Sequence, residues 1–191
     1  AGVLAPASKA DLAFTMHMLS WLSTQGTAAI VEFPGVLYRG GAEKKIREYL
    51  ISNNYVDTVI QLPENLFFGV TIATCIIVLK KSKTDSNILF IDASKEFVHE
   101  GNKNKLSDEN IQRIYNAVMD RKEETHFAKL VSNDDVLEND ANISVSSYVE
   151  PEDTTEKVNI KQLNAKIDQI VSHVQSLRAE INKIVAELEE E

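Results

Sequence analysis

The sequence predicts an α/β fold: the second half of a doubly wound sheet ending in an antiparallel hairpin, then a polar region with short helices, then a long C-terminal heptad helix. Three observations carry that expectation. Helix and strand patterns alternate from Ala1 to about Ser94. Within "VDTVIQLPENLFFGVTIATCIIVLKK", two strand patterns are joined by a loop rather than by a helix, as in an antiparallel edge hairpin. From Ile160 to Leu188, apolar residues step by three and four without a break.

In chain order, the first helix is expected over 10–23, with Ser8 as its N-cap and Asp11 three residues later as an acidic N3. It is apolar nearly all round, which predicts burial. Gln25-Gly26-Thr27 ends it, and "TAAIVEF" (Thr27 to Phe33) is short, apolar and partly β-branched, as expected of a central strand. Pro34-Gly35 stops that strand. After Gly40-Gly41, "AEKKIREYLISNN" reads as an amphipathic helix with Ile46, Leu50 and Ile51 inward and Glu43, Lys44, Arg47 and Glu48 outward. The two hairpin strands follow, then the polar turn Thr84-Asp85-Ser86-Asn87 and a further strand, "NILFIDA".

Three regions result: 1–94 with the α/β pattern, 95–156 polar with helices and loops, and 157–191 as the long helix. In the middle region, "SDENIQRIYNAVMDRKEE" has a Ser cap and apolar residues at Ile111, Ile114, Tyr115 and Val118, as a surface helix does. "SNDDVLENDANIS" lacks the glycine and spacing of a calcium loop, so turns and helix caps are expected there.

Composition limits the function classes. With 191 residues, 43% hydrophobic and 26% charged, the chain reads as one globular domain plus an appendage. The single cysteine, Cys75, cannot form a disulfide within the chain and reads as a small core residue. No apolar run is long enough for a membrane span and no signal pattern opens the chain, so a cytoplasmic location is the expectation. A net charge of -9 argues against nonspecific coating of nucleic acid but leaves room for a local basic face. Arg39, Lys44, Lys45 and Arg47 are the densest such cluster, close to a glycine pair and a helix start where a phosphate could be held; the interleaved Glu43 and Glu48 favour an ordinary solvated face instead. His17, His99, His126 and His173 are scattered without ligand spacing, and no metal site is expected. No glycine-rich cofactor loop, phosphate loop or catalytic triad pattern is found.

Four blocks, "SKADLAFTMHML", "GTAAIVEFPGVLYRGGAEKKIREYLI", "LPENLFFGVTIATCIIVLKK" and "ILFIDASKEFVHEGNKNKLSDENIQRI", together resemble the modification subunit of bacterial type I restriction-modification systems. The resemblance runs from about Gly2 to the C-terminal helix. It implies a methyltransferase-like sheet and an S-adenosylmethionine-dependent enzyme that methylates the exocyclic amine of adenine in DNA. In that family the catalytic Asn/Asp-Pro-Pro-Phe/Tyr loop and the glycine-containing cofactor turn lie upstream of the Ser-Lys-Ala-Asp block. Neither motif occurs here, so no catalytic residue is assigned, no cofactor is expected bound to this fragment, and the chain is expected to be inactive alone.

The resemblance also places residues in roles. Phe67, with Phe68 as its neighbour, corresponds to the aromatic on which the flipped target base stacks. Read from the residues alone, one of the pair is core and the other a partly exposed loop residue. Alternate residues of an extended chain point to opposite sides, so both are not expected in one pocket. Phe14 corresponds to the aromatic that packs on the cofactor's adenine ring; its other reading is a core residue of a buried helix. The seam of Ile160, Leu163, Ile167, Ile170, Val174, Leu177, Ile181, Ile184 and Leu188 needs another helix to cover it. The resemblance supplies the DNA-specificity subunit, with DNA as substrate and a nuclease/translocase subunit as a further partner. For the isolated chain, self-association is expected, or cover of the strand at 27–33 by the long helix, since that strand would otherwise lack a parallel neighbour. A different class of function, a free-standing helical interaction module on an α/β scaffold, stands beside the enzyme reading.

Overall fold

The computed structural model describes residues 2–152 and 160–189. They divide into two units, an α/β unit up to Glu152 and a separate C-terminal helix.

The α/β unit runs α1 (Asp11–Trp21), β1 (Thr27–Glu32), α2 (Ala42–Ser52), β2 (Val56–Gln61), β3 (Cys75–Lys80) and β4 (Asn87–Asp92). It continues with β5 (Val98–Glu100), β6 (Lys103–Lys105), α3 (Asp108–Asp120), β7 (Ala128–Ser132) and α4 (Asn133–Glu138). The five-stranded sheet has the order β1-β3-β2-β4-β7. β2 and β3 form the expected antiparallel hairpin, but not at an edge: β3 is inserted between β2 and β1 and pairs antiparallel with both. Among the described residues β1 therefore lies at one edge of the sheet, with β7 at the other, and its alternate residues Thr27, Ala29 and Val31 are exposed. β2, β3 and β4 are buried on both faces, which is why they read as continuous apolar runs. Each fully buried aliphatic side chain there contributes about 1.5–3 kcal/mol.

Residues 95–156, expected to be helices and loops, add β7 to this same sheet by antiparallel pairing with β4. Tyr148, from near the end of that segment, stacks on the buried Phe90 of β4 with ring centroids 4.3 Å apart. The limit at 156–157 falls on residues 153–159, outside those described.

The helices differ in how well pattern predicts packing. α3 has the expected Ser cap: the Ser107 hydroxyl accepts from the Asn110 backbone N–H, and the Asn110 side chain accepts from the Ser107 N–H, a full capping box. Ser132 caps α4 within the carboxylate-rich stretch. α1 begins after Ala10, which makes no side-chain cap, so the Ser8 cap is not used. Its expected burial is also corrected. Only Leu12, Thr15 and Leu19 are buried, because one row of a helix that flanks an edge strand can face the sheet.

α2 starts at Gly41, whose φ of 70° suits glycine, and buries Ile46, Leu50 and Ile51 as expected. Glu43 and Arg47, expected outside, are buried as well. The Arg47 guanidinium donates to the carbonyls of Val36 at 2.9 Å and Ala141 at 2.8 Å, tying the turn after β1 to the segment after α4.

The second unit is α5 (Ile160–Glu189), thirty residues long and about 45 Å at helical rise. All nine seam residues from Ile160 to Leu188 are exposed. No helix of the described residues is long and apolar enough to cross a membrane.

Candidate functional site

β1, β2 and β4 run parallel to one another, since β1 and β2 are each antiparallel to β3 and β4 is parallel to β2. Their carboxyl ends, at Glu32, Gln61 and Asp92, therefore lie at one end of the sheet, where open α/β sheets bind ligands. The register fixes the details, with Cys75, the first residue of β3, opposite Glu32 on one side and Gln61 on the other.

Glu32 is the buried carboxylate at this end. It accepts from the Thr15 hydroxyl of α1 at 2.8 Å. Burial raises its pKa above the ordinary carboxylate value; the Thr15 hydrogen bond opposes that and the nearby Asp11 charge adds to it. The Cys75 thiol donates to the Glu32 carbonyl at 3.4 Å, and burial pushes the thiol up to about 12, so it stays a protonated structural group.

Two open cavities flank Glu32. The larger, about 660 Å³, is lined by Phe14, His17, Met18 and Trp21 of α1 and by Ile30 and Val31 of β1. The smaller, about 240 Å³, is lined by Phe33, Phe67, Val70 and Thr74. Asp11, Val31 and Glu32 line both. Phe14 and Phe67, from different elements of the α/β unit, thus belong to one continuous surface. Phe14 is 67% exposed and its ring is not part of the core; Phe67 is 40% exposed.

Phe68 is 92% exposed and lies outside both cavities, under the Lys103 ammonium at 4.1 Å from its ring centroid. The loop that carries both rings leaves β2 at Leu62 and returns at Thr74. It turns at Asn65 and Gly69, both with positive φ, and closes on itself through Asn65 N–H to Thr71 O. The β5–β6 hairpin holds it from outside. Asn104 donates its backbone N–H to Asn65 O at 3.1 Å and its side-chain amide to Glu64 O at 2.9 Å.

Glu32, Thr74 and Asn104 are residues that reading the sequence passed over, and Asp11 was expected only as an acid at a helix start. An acid at the end of an otherwise apolar strand was the one legible signal, since β-strand carboxyl ends are where such sheets place polar chemistry.

The basic cluster does not form one face. Arg47 is 1% exposed with its guanidinium spent on two carbonyls, so it presents nothing to a phosphate. Arg39 packs over Gly35, where a Cβ would collide with the guanidinium, and pairs with Glu43 at 3.4 Å. Lys44 pairs with Asp140 at 2.7 Å and lies 3.8 Å from Glu48; the Asp140 hydrogen bond raises its pKa. Lys45 is left exposed on the outer side of α2. Among the described residues, no group of three or more His, Cys, Asp or Glu is placed to hold a metal ion.

The family model described as N-6 DNA Methylase matches residues 1–157. The type I restriction enzyme MpnII methylase subunit of Mycoplasma pneumoniae is 49% identical over 189 residues, covering 98% of this chain and 35% of that protein. The MjaVIII methylase subunit of Methanocaldococcus jannaschii is 36% identical over 153 residues, covering 77% of this chain and 26% of its own length. Among solved structures, the type I restriction-modification methyltransferase subunit from Streptococcus thermophilus superposes with a TM-score of 0.76 at 45% identity, over 78% of this chain and 32% of that one. The chain spans about a third or less of the length of these relatives.

Proposed function

The chain belongs to the N-6 DNA methylase family, and from that premise we propose that it forms part of a type I modification subunit that transfers a methyl group from S-adenosylmethionine to the exocyclic amine of adenine in DNA. What supports a role in this chemistry is the continuous surface around Glu32 with Phe14 at one end and Phe67 at the other. Methyl transfer from this cofactor to a base needs two flat rings seated near each other, the cofactor's adenine and the target base, so that the sulfonium methyl meets the amine, and two exposed aromatic faces flanking the shared Asp11, Val31 and Glu32 suit that need.

The fit to the cofactor is partial. Phe14 and the apolar floor of Ile30 and Val31 suit its adenine ring, while the sequence contains no Pro-Pro dipeptide or glycine-rich turn to hold the rest. When bound, the group supplies an electrophilic methyl on a sulfonium. Phe67 stacks on the extruded adenine, and the β5–β6 hairpin keeps Phe67 in place through Asn104. Phe68 and Lys103, outside the cavity, and the exposed Lys45 are then available to the surrounding DNA backbone.

The seam of α5 is the docking surface for the specificity subunit in this reading, and in the isolated chain it pairs with a second copy. The same exposed seam is the observation that favours the alternative of a helical interaction module. Phe67→Ala separates the two. In the intact subunit assembled with its specificity subunit, methylation should fall at least tenfold while the melting temperature of the α/β unit stays within a few degrees. Equal methylation, or a matched loss of folding, would remove Phe67 from the site.

A further inference from the structure

We propose that Thr74 determines base specificity in the smaller cavity: its hydroxyl donates a hydrogen bond to a ring nitrogen of the base lying against Phe67. This deepens the reading of the site given above and rests on it. Thr74 is 5% exposed, and its Oγ1 is buried without a hydrogen-bond partner among the described residues. A buried hydroxyl left unpaired is unfavourable, and natural folds avoid it unless something else pairs with it.

The rest of the residue is fixed. Its carbonyl accepts from the Leu62 N–H at 2.9 Å and from the Gln61 side-chain amide at 3.4 Å, so the backbone at the start of β3 holds its position. Its neighbours around the cavity leave the hydroxyl unpaired. Neither lining carboxylate, Asp11 or Glu32, hydrogen-bonds to it, and Val31 and Val70 are aliphatic. The cavity therefore offers two aromatic rings, Phe33 and Phe67, an aliphatic rim, two carboxylates and one uncommitted hydroxyl. That is the composition of a site for a flat heteroaromatic ring with an acceptor on its edge. Adenine carries such acceptors as ring nitrogens, and a donor spent on one of them leaves the exocyclic amine free to react.

The test begins with this chain. Thr74→Val replaces a partnerless hydroxyl by a methyl of the same shape, so the melting temperature should stay or rise; a clear fall would mean that the hydroxyl has a structural partner and would overturn the proposal. In the intact subunit with its specificity subunit, Thr74→Val should lower kcat/KM for DNA about three- to tenfold, the range of one neutral hydrogen bond, and Thr74→Ser should restore most of it. Duplexes carrying 1-deaza-, 3-deaza- or 7-deazaadenine at the target then identify the atom. One analogue should cost the parent enzyme as much as Thr74→Val does and cost the Thr74→Val enzyme nothing more. Unchanged kcat/KM in Thr74→Val, or additive losses with all three analogues, would overturn the proposal. With 2-aminopurine at the target, loss of the Phe67 ring should raise the emission, and a Phe67→Ala enzyme that keeps the quenched emission of the stacked base would instead refute the reading of the site itself.

Discussion

α1 and α2 are each eleven residues long and feed the same hydrophobic core, yet they dispose of their side chains in opposite ways. α1 is apolar nearly all round and leaves Phe14, His17 and Trp21 on an open surface, with the His17 and Trp21 rings 5.1 Å apart. α2 carries alternating charge and buries two of its charged residues, Glu43 and Arg47. The difference teaches that side-chain type does not assign role. A buried charge with its donors directed at backbone carbonyls holds two segments together, while an exposed aromatic beside a groove is left available to a ligand.

Three variants break or sharpen that contrast. The largest effect is expected for Arg47→Ala, which leaves the Val36 and Ala141 carbonyls without their donor inside the core. Urea titration should show a loss of about 3 kcal/mol. Unaltered stability together with weaker DNA binding would return Arg47 to the phosphate role that its sequence neighbourhood suggested.

Next in size is Phe14→Ala. Stability of the chain should change by no more than about 0.5 kcal/mol, against the 3–5 kcal/mol of a core phenylalanine. S-adenosylmethionine affinity of the intact subunit should fall about tenfold. A large stability loss in calorimetry would place Phe14 back in the core and dissolve the contrast.

The smallest effect concerns Glu32, which ties α1 to β1 through Thr15. Its folded pKa lies above the ordinary 4.5, so in that window the folded chain holds more protons than the unfolded one. Stability from this group is then greatest below 4.5 and declines as pH rises through the folded pKa. Glu32→Gln keeps the acceptor for Thr15 and removes the titration. Its unfolding free energy should exceed the parent's at neutral pH and converge with it in acid; two parallel pH curves would show that Glu32 is not desolvated.

Much of this architecture was legible because burial on both faces writes continuous apolar runs, as in "CIIVLK" and "NILFID", and because the Ser107 cap and the α2 stripe are local patterns. What was not legible depends on distant partners. Arg47 is buried because a carbonyl ninety-four residues away accepts from it, and no window of sequence contains both. β7 has an exposed lysine and only five residues, so it reads as loop until β4 pairs with it. The site was half legible: "NLFFG" advertised aromatic residues outside the core, and the family blocks picked out Phe14 and Phe67, but the cavity surrounds Glu32 and Thr74. Glu32 left only the trace of an acid ending an apolar strand, and Thr74 became visible only once β1 and β3 were in register.

The insertion of β3 between β1 and β2 also sets an order of assembly. A ribosome releases β1 first and β2 second, but among the described residues β1 has no ladder partner except β3. Both strands must wait for Cys75–Lys80, and the Leu62–Thr74 loop must fold back before a three-strand unit can close. Until then β1 and β2 each hold an open hydrogen-bonding edge toward the place that β3 will fill. Cys75–Lys80 then pairs with both at once, and β2 keeps its other edge for β4.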